Sequence, residues 1–355
     1  MAEKSDSQEH NSQPLENSDN SAILVVGPSW VGDMVMAQTL FKLLKERQPK
    51  TPIDVLAPAW SSQLLERMPE VRKSIANPLG HGQLGIFARF KLGRSLVGRY
   101  KQAIVLPNSL KSALIPFHAK IPLRTGFIGE MRWGFLNDAR PLDKKRLPKT
   151  TDRFIALGLG RDEAMPENPP TPSFTSLPKQ AKKLLQRLEV PDNGQPYLVL
   201  CPGAEYGEAK QWPRHHYSTV AKIQAREGWN ILIVGSAKEK ELCQNIAKHA
   251  GNNGYDLSGR TTLAEMVDIL SIADGVICND SGPMHVAAAL GVPVIAIYGS
   301  SDPNHTPPVG PKAHAISLNL QCAPCFKREC PEKHLRCLEE ISPTVVLQKL
   351  ASIRQ

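Results

Sequence analysis

Short apolar runs alternate along the chain with segments whose apolar residues recur every three or four positions. The run AILVV at residues 22–26 is followed by glycine and proline and is typical of a buried parallel strand. Residues 33–47 come next, with the periodicity of a helix that buries one face. Two further strands are predicted at 53–58 and 102–107. Strands that alternate with helices in this way indicate a doubly wound, parallel α/β sheet.

The pattern restarts after a polar, proline-rich stretch over residues 163–196. A helix is predicted at 262–273, capped by Thr261 or Thr262. Further strands are predicted at 197–203, 230–236, 275–280 and 293–299. The chain therefore contains two α/β halves of similar size. Because ligands of such sheets bind beyond the carboxyl ends of the strands, we expect a binding cleft between the halves.

Five regions follow from this organisation. Residues 1–20 carry too little apolar surface to fold, and we expect a disordered tail. We place the first domain at 21–180, a linker region at 181–196 and the second domain at 197–340. A last helix is predicted at 341–355.

Composition narrows the class of protein. No apolar run approaches the roughly 18–20 residues that span a bilayer, and the polar N-terminus lacks a signal-peptide core, so we expect a cytoplasmic protein. The formal charge of +9 suggests an anionic partner: nucleic acid, an acidic membrane surface or a phosphorylated substrate. Aromatic residues make up only 6% of the chain and no RNA or DNA motif appears, which argues against a nucleic-acid-binding module.

The turn NDSGPMHVAAALGVP places chemically useful residues where a strand gives way to a helix. Asp280 and Ser281 lie at the switch, Gly282 lets a ligand approach the backbone, and His285 lies one turn into the helix. A helix N-terminus offers unpaired N–H groups and a positive dipole end, which suits a diphosphate. The alternative is an ordinary helix cap beside a core histidine.

Two other turns carry candidate residues. In CPGAEYGEAKQWP, Lys210 lies where a point charge could meet a phosphate, although a lone loop lysine is usually solvated. In VGPSWVGDMVMAQ, Asp33 opens a helix and points toward the cleft; alternatively, it complements the helix dipole. Neither turn matches G-x-G-x-x-G or the phosphate loop G-x-x-x-x-G-K-S/T.

Two segments leave alternatives open. GIFARFKLGRSLVGRYK, residues 85–101, interleaves apolar and basic residues, which fits either an anionic membrane face or a surface helix packed in its own domain. The spacing C-x2-C-x4-C-x6-C over residues 322–337 supplies enough soft ligands for zinc but matches no common zinc motif. A reduced cysteine loop and a disulfide are the alternatives, and we assign no metal ligand.

The chain resembles glycosyltransferase family 9, the bacterial ADP-heptose–lipopolysaccharide heptosyltransferases, over residues 22–350. The resemblance rests on PSWVGDMVMAQTL, GFIGEMRWGFLND, PGAEYGEAKQWP, GSAKEKE, SGRTTLAEM and NDSGPMHVAAALGVPVIAIYGSSDP. It implies a GT-B fold, with two Rossmann-like domains facing across a cleft, and inverting heptose transfer that needs no metal or cofactor. GPSWVGDMVMAQ and the cysteine segment look most like the heptosyltransferase II branch, which extends the first heptose of the inner core. The heptosyltransferase I branch, a protein heptosyltransferase and a nucleotide-sugar epimerase are alternatives.

The resemblance also assigns residues. Asp33 matches the catalytic base. The residues that match donor-binding positions are Lys210 for the phosphates, Glu239 for the ribose, Thr261 and Thr262 for adenine, and Asp280, Ser281, Gly282 and His285 for the diphosphate and sugar. Lys111 and Arg132 are the candidates for binding the acidic acceptor.

The same resemblance implies partners and domain roles. ADP-heptose would bind the second domain, and a heptosylated Kdo-lipid A acceptor the first. The anionic inner leaflet of the cytoplasmic membrane would hold the protein peripherally, as a monomer and without nucleic acid. In members of that family the C-terminal helix crosses back to the first domain, and the resemblance implies the same for the helix at 341–355.

Overall fold

The computed structural model describes residues 21–79 and 83–354. The tail predicted at residues 1–20 lies outside the described residues. Within the two described ranges, no helix combines the length and the apolarity needed to cross a bilayer.

Six parallel strands form the first sheet, in the order β3-β2-β1-β4-β5-β6. The strands are β1 (Ala22–Val26), β2 (Ile53–Pro58), β3 (Lys73–Asn77), β4 (Tyr100–Val105), β5 (Leu123–Phe127) and β6 (Asp138–Arg140). The helices around it are α1 (Val31–Arg47), α2 (Ser62–Leu65), α3 (Ile86–Ser95), α4 (Leu110–His118) and α5 (Thr150–Gly158). Every residue of β1 is buried, because helices cover both faces of the central strand.

The second sheet is also parallel and six-stranded, in the order β12-β11-β10-β7-β8-β9. Its strands are β7 (Tyr197–Cys201), β8 (Asn230–Ile233), β9 (Gly254–Asp256), β10 (Gly275–Asn279), β11 (Val294–Tyr298) and β12 (Ala313–Ser317). The remaining helices are α6 (Pro178–Arg187), α7 (Arg214–Arg226), α8 (Lys240–His249), α9 (Leu263–Ser271), α10 (Gly282–Ala289), α11 (Arg336–Glu339) and α12 (Pro343–Arg354).

Both sheets have the strand order of a Rossmann-like domain, 3-2-1-4-5-6. The order reverses between β1 and β4 in the first sheet and between β7 and β10 in the second. Connections leave the two central strands in opposite directions there, which opens a crevice at the carboxyl edge. The predicted α/β class with two doubly wound domains is confirmed.

The two domains pack closely through the helices that follow their central strands. α1 contacts α10, and α2 contacts α9. The buried guanidinium of Arg67 lies 2.9 Å from the Asp268 carboxylate across the interface. Gln63 accepts a hydrogen bond of 3.0 Å from the backbone N–H of Ala264, at the start of α9. These contacts bring the carboxyl edges of the two sheets together.

The linker region placed at 181–196 includes most of helix α6, which packs against α9 of the second domain. One expectation about the connections is wrong. The last helix, α12, does not cross back to the first domain in the manner expected. It packs against α7, β11 and β12, and its buried Val346 and Leu350 belong to the core of the second domain. The physical reason is that the apolar side chains of α12 cover a face of the second sheet that would otherwise be exposed to solvent.

Candidate active site

Two cavities meet in the cleft between the domains. Cavity A, of about 660 Å³, is lined mainly by loops of the second domain and by the start of α1. Cavity B, of about 1020 Å³, is lined mainly by the first domain. The residues that line both cavities are Ser29, Trp30, Asp33, Trp60 and Thr306. Among these five, Asp33 has the only side chain that ionises as an acid or a base near neutral pH.

Asp33 lies in the first turn of α1, directly after the turn that leaves β1. Burial raises the pKa of its carboxyl to about 6, and the negative charge of Asp280 adds to this effect. The positive charges of His305 and Lys210 oppose it. A carboxylate with a pKa close to the working pH can accept a proton and remain mostly ionised, which is what general base catalysis requires.

Lys210 and Asp280 form an ion pair in cavity A, 70 residues apart in sequence. The Lys210 ammonium lies 2.5 Å from the Asp280 carboxylate, and both side chains are largely buried. The Tyr206 ring contributes a cation–π contact, with the ammonium 5.0 Å from the ring centroid. The phenol of Tyr206 donates to the carbonyl of Phe326, which holds the ring in place. The ion pair thus places a fixed cation on the cavity wall.

The start of α10 faces the same cavity. Ser281 occupies the N-cap position, but its hydroxyl donates to the carbonyl of Asn279 and does not cap the helix. The ordinary side-chain cap, which the sequence left open as an alternative, is therefore not formed at Ser281. The N–H group of Gly282 and the positive end of the helix dipole are consequently left to a ligand of cavity A.

His285 is buried at the point where the two domains touch. Desolvation lowers the pKa of its imidazole to about 4, so the ring is neutral at physiological pH. A Cβ atom on Gly32 would lie 2.6 Å from the His285 ring, and one on Gly282 would lie 2.7 Å from the Val31 side chain. Glycine at both positions allows the N-termini of α1 and α10 to meet, which places Asp33 beside the second domain.

Asn279 organises the loops behind this site, a role that the sequence reasoning missed. Its side-chain oxygen accepts from the Trp212 N–H at 2.9 Å and from the Tyr217 hydroxyl at 3.0 Å. Its amide donates to the carbonyls of Pro202, at 2.8 Å, and Gly203, at 3.2 Å. The last residue of β10 thereby fixes the loop after β7, on which Lys210 lies. Its position directly before Asp280 was the available signal.

Glu239 lines cavity A beneath the loop after β7. One carboxylate oxygen, Oε2, accepts from the backbone N–H and the hydroxyl of Ser236, at 2.7 and 2.9 Å. The other, Oε1, lies so close to Gly203 that a Cβ atom there would be only 1.6 Å away. Glycine at position 203 therefore leaves the space in which this carboxylate sits.

Thr261 and Thr262 both line cavity A, but their polar groups differ in availability. Thr262 begins α9 in a capping box: its hydroxyl accepts from the Glu265 N–H, and its own N–H donates to the Glu265 carboxylate. Its carbonyl accepts from the Met266 N–H. A ligand would therefore meet the backbone of Thr261 more readily than that of Thr262.

Cavity B contains one of the two basic residues that the sequence analysis proposed for the acceptor. Lys111 lines it from the first turn of α4. Arg153, from α5, lines the same cavity, and its guanidinium lies 3.5 Å from the ring of His305. These cationic groups suit an anionic ligand.

Arg132 is not part of that wall. It is only 1% exposed, and its guanidinium donates to the carbonyls of Phe127 and Pro107 and to the side chains of Asn108 and Ser112. Burial lowers its pKa to about 10. The expectation that Arg132 touches an acceptor does not agree with this position. The side chain instead braces the loop over residues 107–112, which carries Lys111.

His305 is a site residue for which the sequence carried no signal. It lies in the loop after β11 of the second domain and lines cavity B. Its Nδ1 lies 2.9 Å from the Pro148 carbonyl, and its own carbonyl accepts from the Thr150 N–H at 3.0 Å, both in the first domain. The residue thus joins the domains beside Asp33, and its charge acts on the Asp33 carboxyl.

None of the four clustered cysteines is among the residues that line cavity A or cavity B. Cys322, Cys325, Cys330 and Cys337 are free thiols in the described structure. In the part of the chain that the structure describes, the three side chains that could share one cation are His215, His216 and Glu339, and not these thiols.

Comparison with known proteins agrees with this arrangement. Residues 89–336 match the model of the family described as glycosyltransferase family 9 (heptosyltransferase). The chain belongs to glycosyltransferase family 9. This family 9 chain is 44% identical over 340 residues to lipopolysaccharide heptosyltransferase 2 of Salmonella typhimurium, covering 93% of this chain and 98% of the relative. Identity to lipopolysaccharide heptosyltransferase 2 of Escherichia coli K12 is 42% over 341 residues, with coverage of 93% and 98%.

The fold comparison leads to the same family. The solved structure of E. coli ADP-heptose LPS heptosyltransferase II superposes on this family 9 chain with a TM-score of 0.84 and 40% identity. The superposition covers 94% of this chain and 98% of that structure. The resemblance inferred from the sequence motifs is confirmed, and the family 9 chain is a glycosyltransferase.

Proposed function

We propose that this glycosyltransferase transfers heptose from ADP-L-glycero-D-manno-heptose to the first heptose of the lipopolysaccharide inner core, with inversion at the anomeric carbon. The observation that carries the proposal is the position of Asp33. A carboxylate whose pKa is about 6 lies where cavity A and cavity B meet. A donor in one cavity and an acceptor in the other would have their reacting atoms beside it. The relatives named heptosyltransferase 2 support the same sugar and acceptor.

Cavity A is proposed as the donor site. Lys210 and the N–H group of Gly282, at the positive end of α10, would hold the diphosphate. Glu239 would accept hydrogen bonds from the ribose hydroxyls, and the backbone of Thr261 would contact adenine. The neutral ring of His285 would face the heptose. The remaining proposed donor-binding residues are Thr262, Asp280 and Ser281, which shape the wall on which these groups lie.

The chemistry follows from this placement. The acceptor hydroxyl oxygen attacks the anomeric carbon from the side of cavity B, and Asp33 takes its proton. The bond between that carbon and the diphosphate oxygen breaks, and ADP leaves with the electron pair. Lys210 and the Gly282 N–H stabilise the charge that develops on the leaving oxygen. A single displacement by an outside hydroxyl inverts the configuration. The Lys210 ammonium and the N-terminus of α10 serve the role for which other enzymes use a metal.

Cavity B is proposed as the acceptor site. Lys111 and Arg153 would bind the acidic part of a heptosylated Kdo-lipid A, and Arg132 would position the loop that carries Lys111. Such an acceptor is anchored in a bilayer. We therefore propose that the protein works as a monomer, peripherally, at the inner face of the cytoplasmic membrane.

The test is transfer to defined acceptors, followed by mass spectrometry with EDTA present. Purified protein and ADP-heptose should add one heptose to mono-heptosylated Kdo-lipid A, and Asp33→Ala should abolish the gain. Transfer only to Kdo-lipid A that lacks heptose would instead identify the activity of the heptosyltransferase I branch. No transfer to either acceptor would contradict the proposed function.

A further inference from the structure

One long segment of the chain carries positive charge without any negative charge. Residues 71–129 contain no Asp or Glu, although the chain as a whole has 34 acidic residues. The basic residues of the segment are Arg72, Lys73, Arg89, Lys91, Arg94, Arg99, Lys101, Lys111, Lys120 and Arg124. Helices α3 and α4 of the segment pack against each other and over the same face of the first sheet, whereas β3 lies at the far edge and its Lys73, like Arg72 just before it, pairs with Asp54. The remaining basic charge of the segment therefore lies mainly on and around α3 and α4.

Exposed apolar side chains are concentrated in the same place. Among the described residues, ten of the fifteen large apolar side chains that are exposed lie between residues 84 and 133. Phe87 is the extreme case, with 89% of its surface accessible. The ten are Leu84, Ile86, Phe87, Phe90, Val97, Phe117, Leu123, Ile128, Met131 and Trp133. Scattered single apolar residues need no explanation, but a cluster of them marks an interaction surface.

Helix α3 shows how the surface is built. Its inner side packs closely against α4: a Cβ atom on Gly93 would lie 2.7 Å from the His118 side chain and 2.8 Å from the Ile115 carbonyl. Buried Arg89 donates to the backbone carbonyls of Gln83, Leu84 and Lys111. Its outer side is exposed and mixes apolar with basic residues. We call this outer side the basic apolar face; it consists of Ile86, Phe87, Phe90, Lys91 and Arg94.

Ring contacts connect the basic apolar face to its neighbours. Phe90 lies 5.1 Å from His118, which lies 5.4 Å from Phe117, and Phe117 lies 5.0 Å from Phe135. The Arg124 guanidinium lies over the Phe117 ring at 5.7 Å. The surface therefore continues from α3 across α4 to the loop before β6. Leu84 and Arg89 also line cavity B, so this surface borders the proposed acceptor site.

We propose that the basic apolar face docks on an anionic lipid bilayer, with Phe87 and its apolar neighbours inserted among the headgroups and Lys91 and Arg94 on lipid phosphates. Aromatic and basic residues together are the combination that interfacial binding uses. A second copy of the chain would oppose two surfaces of the same sign, which is unfavourable. The inference rests on the proposed function, because a lipid-anchored acceptor would then enter cavity B from the adjacent bilayer.

Vesicle binding tests the surface without using catalysis. The full chain is sedimented with vesicles of phosphatidylethanolamine and phosphatidylglycerol, and separately with phosphatidylcholine vesicles. We expect preferential binding to the anionic vesicles. Phe87→Ser/Phe90→Ser should weaken the partition coefficient about tenfold or more, since burial of each ring is lost. Lys91→Gln/Arg94→Gln should weaken it and reduce its salt dependence.

Matched controls lie on the second domain. Val345→Ser on α12 and Lys248→Gln on α8 change an exposed apolar and an exposed basic residue there and should leave binding unchanged. Equal binding to neutral vesicles, or equal loss in the control variants, would overturn the proposal. So would a wild-type dimer that Phe87→Ser converts to a monomer, because the occupant would then be a second copy.

Activity separates this inference from the proposed function. Phe87→Ser/Phe90→Ser should keep wild-type transfer to a water-soluble, deacylated acceptor and lose transfer to the same saccharide anchored in vesicles. Vesicle binding without heptose transfer to any acceptor would leave the docking surface standing and reject the proposed function. Loss of transfer to both acceptor forms in this variant would contradict a role confined to docking.

Discussion

The ammonium group of Lys210 lies 2.5 Å from the carboxylate of Asp280, on the wall of cavity A and below the start of α10. Asp280 holds the lysine at one position of the wall. This would preorganise its charge for the donor phosphate that we propose it binds. The same pair influences the next residues along the cleft, since both charges act on Asp33 and on His285.

Substitution of Lys210 should separate charge from geometry. Lys210→Gln removes the cation and leaves Asp280 buried without its partner, so we expect kcat/KM for ADP-heptose to fall by roughly 100-fold or more. Lys210→Gln/Asp280→Asn removes both charges and should recover folding stability but not activity. Steady-state kinetics and thermal unfolding of both variants measure the difference. Wild-type kcat/KM in the single variant would refute a role of this lysine at the donor phosphates.

The pH dependence of activity should report the Asp33 carboxyl. Its pKa of about 6 means that the base is protonated and inactive below that pH and ionised above it. We therefore expect kcat/KM to rise with pH through about 6 and then level off. A pH–rate profile with saturating donor and subsaturating acceptor makes the measurement. An acid limb near pH 4, typical of an ordinary exposed carboxyl, would be inconsistent with this environment.

The ionised carboxylate of Asp33 should also lower the free energy of unfolding. Its pKa in the folded state lies above the usual 3.8, so the folded state binds the proton more tightly than the unfolded state does. Ionisation therefore destabilises the fold as pH rises from about 4 through 6, and the cost is complete above that range. Asp33→Asn should raise the free energy of unfolding by roughly 1–3 kcal/mol at pH 8 and have almost no effect at pH 4. Urea unfolding at the two pH values tests this; equal effects at both would show that the charge is not responsible.

Gly203 should control donor affinity through Glu239. A Cβ atom at position 203 would lie 1.6 Å from Oε1 of Glu239, and a flexible side chain will move away before the backbone does. Gly203→Ala should therefore fold and raise KM for ADP-heptose about tenfold, with a smaller effect on kcat. Gly194, another loop glycine, is unsuitable as a control site, because its φ of +75° would strain an alanine. Gly160→Ala, in a loop of the first domain, is the better comparison and should leave KM for the donor unchanged.

His305 should tune the base from the other domain. The positive charges of His305 and Lys210 lower the pKa of Asp33, and the negative charge of Asp280 raises it. His305→Phe removes the charge and the contact with the Pro148 carbonyl, so we expect the acid limb of the pH–rate profile to move to higher pH. Activity at pH 6 should fall more than activity at pH 8. His249→Phe, on the exposed end of α8, is the control; a uniform loss at all pH values would indicate a structural role for His305 alone.

The sequence predicts a strand more reliably when that strand is more completely buried. β1 and β2 coincide with the apolar runs at 22–26 and 53–58, because both are covered on two faces and need continuous apolar sequence. β3, β5, β6, β9 and β12 were missed; all of them except β5 are edge strands, and β5 itself begins with partly exposed residues. An edge strand is partly exposed and carries polar residues; KSIAN in β3 is an example.

The cysteine segment and the last helix show a second limit. Periodicity indicated a helix near 341–355, and α12 forms there, but periodicity does not say which domain receives its apolar stripe. Family habit pointed to the first domain, and the packing of Leu350 beneath the second sheet decides otherwise. The four clustered cysteines likewise had the ligand types of a metal site without an arrangement that brings three of them to one point.

By itself, the sequence determined the two parallel α/β domains and the turns that carry Asp33, Lys210 and Asp280. The reason is that buried strands and helix starts depend on local patterns of apolar, small and polar residues. Only the tertiary structure decided how those turns combine. It placed Asp33 between two cavities, paired Lys210 with Asp280, buried Arg132 behind the wall of cavity B and brought His305 across the domain interface. These relationships join residues from different elements and from both domains. Proton affinity and contact depend on distance and burial, which local sequence does not contain.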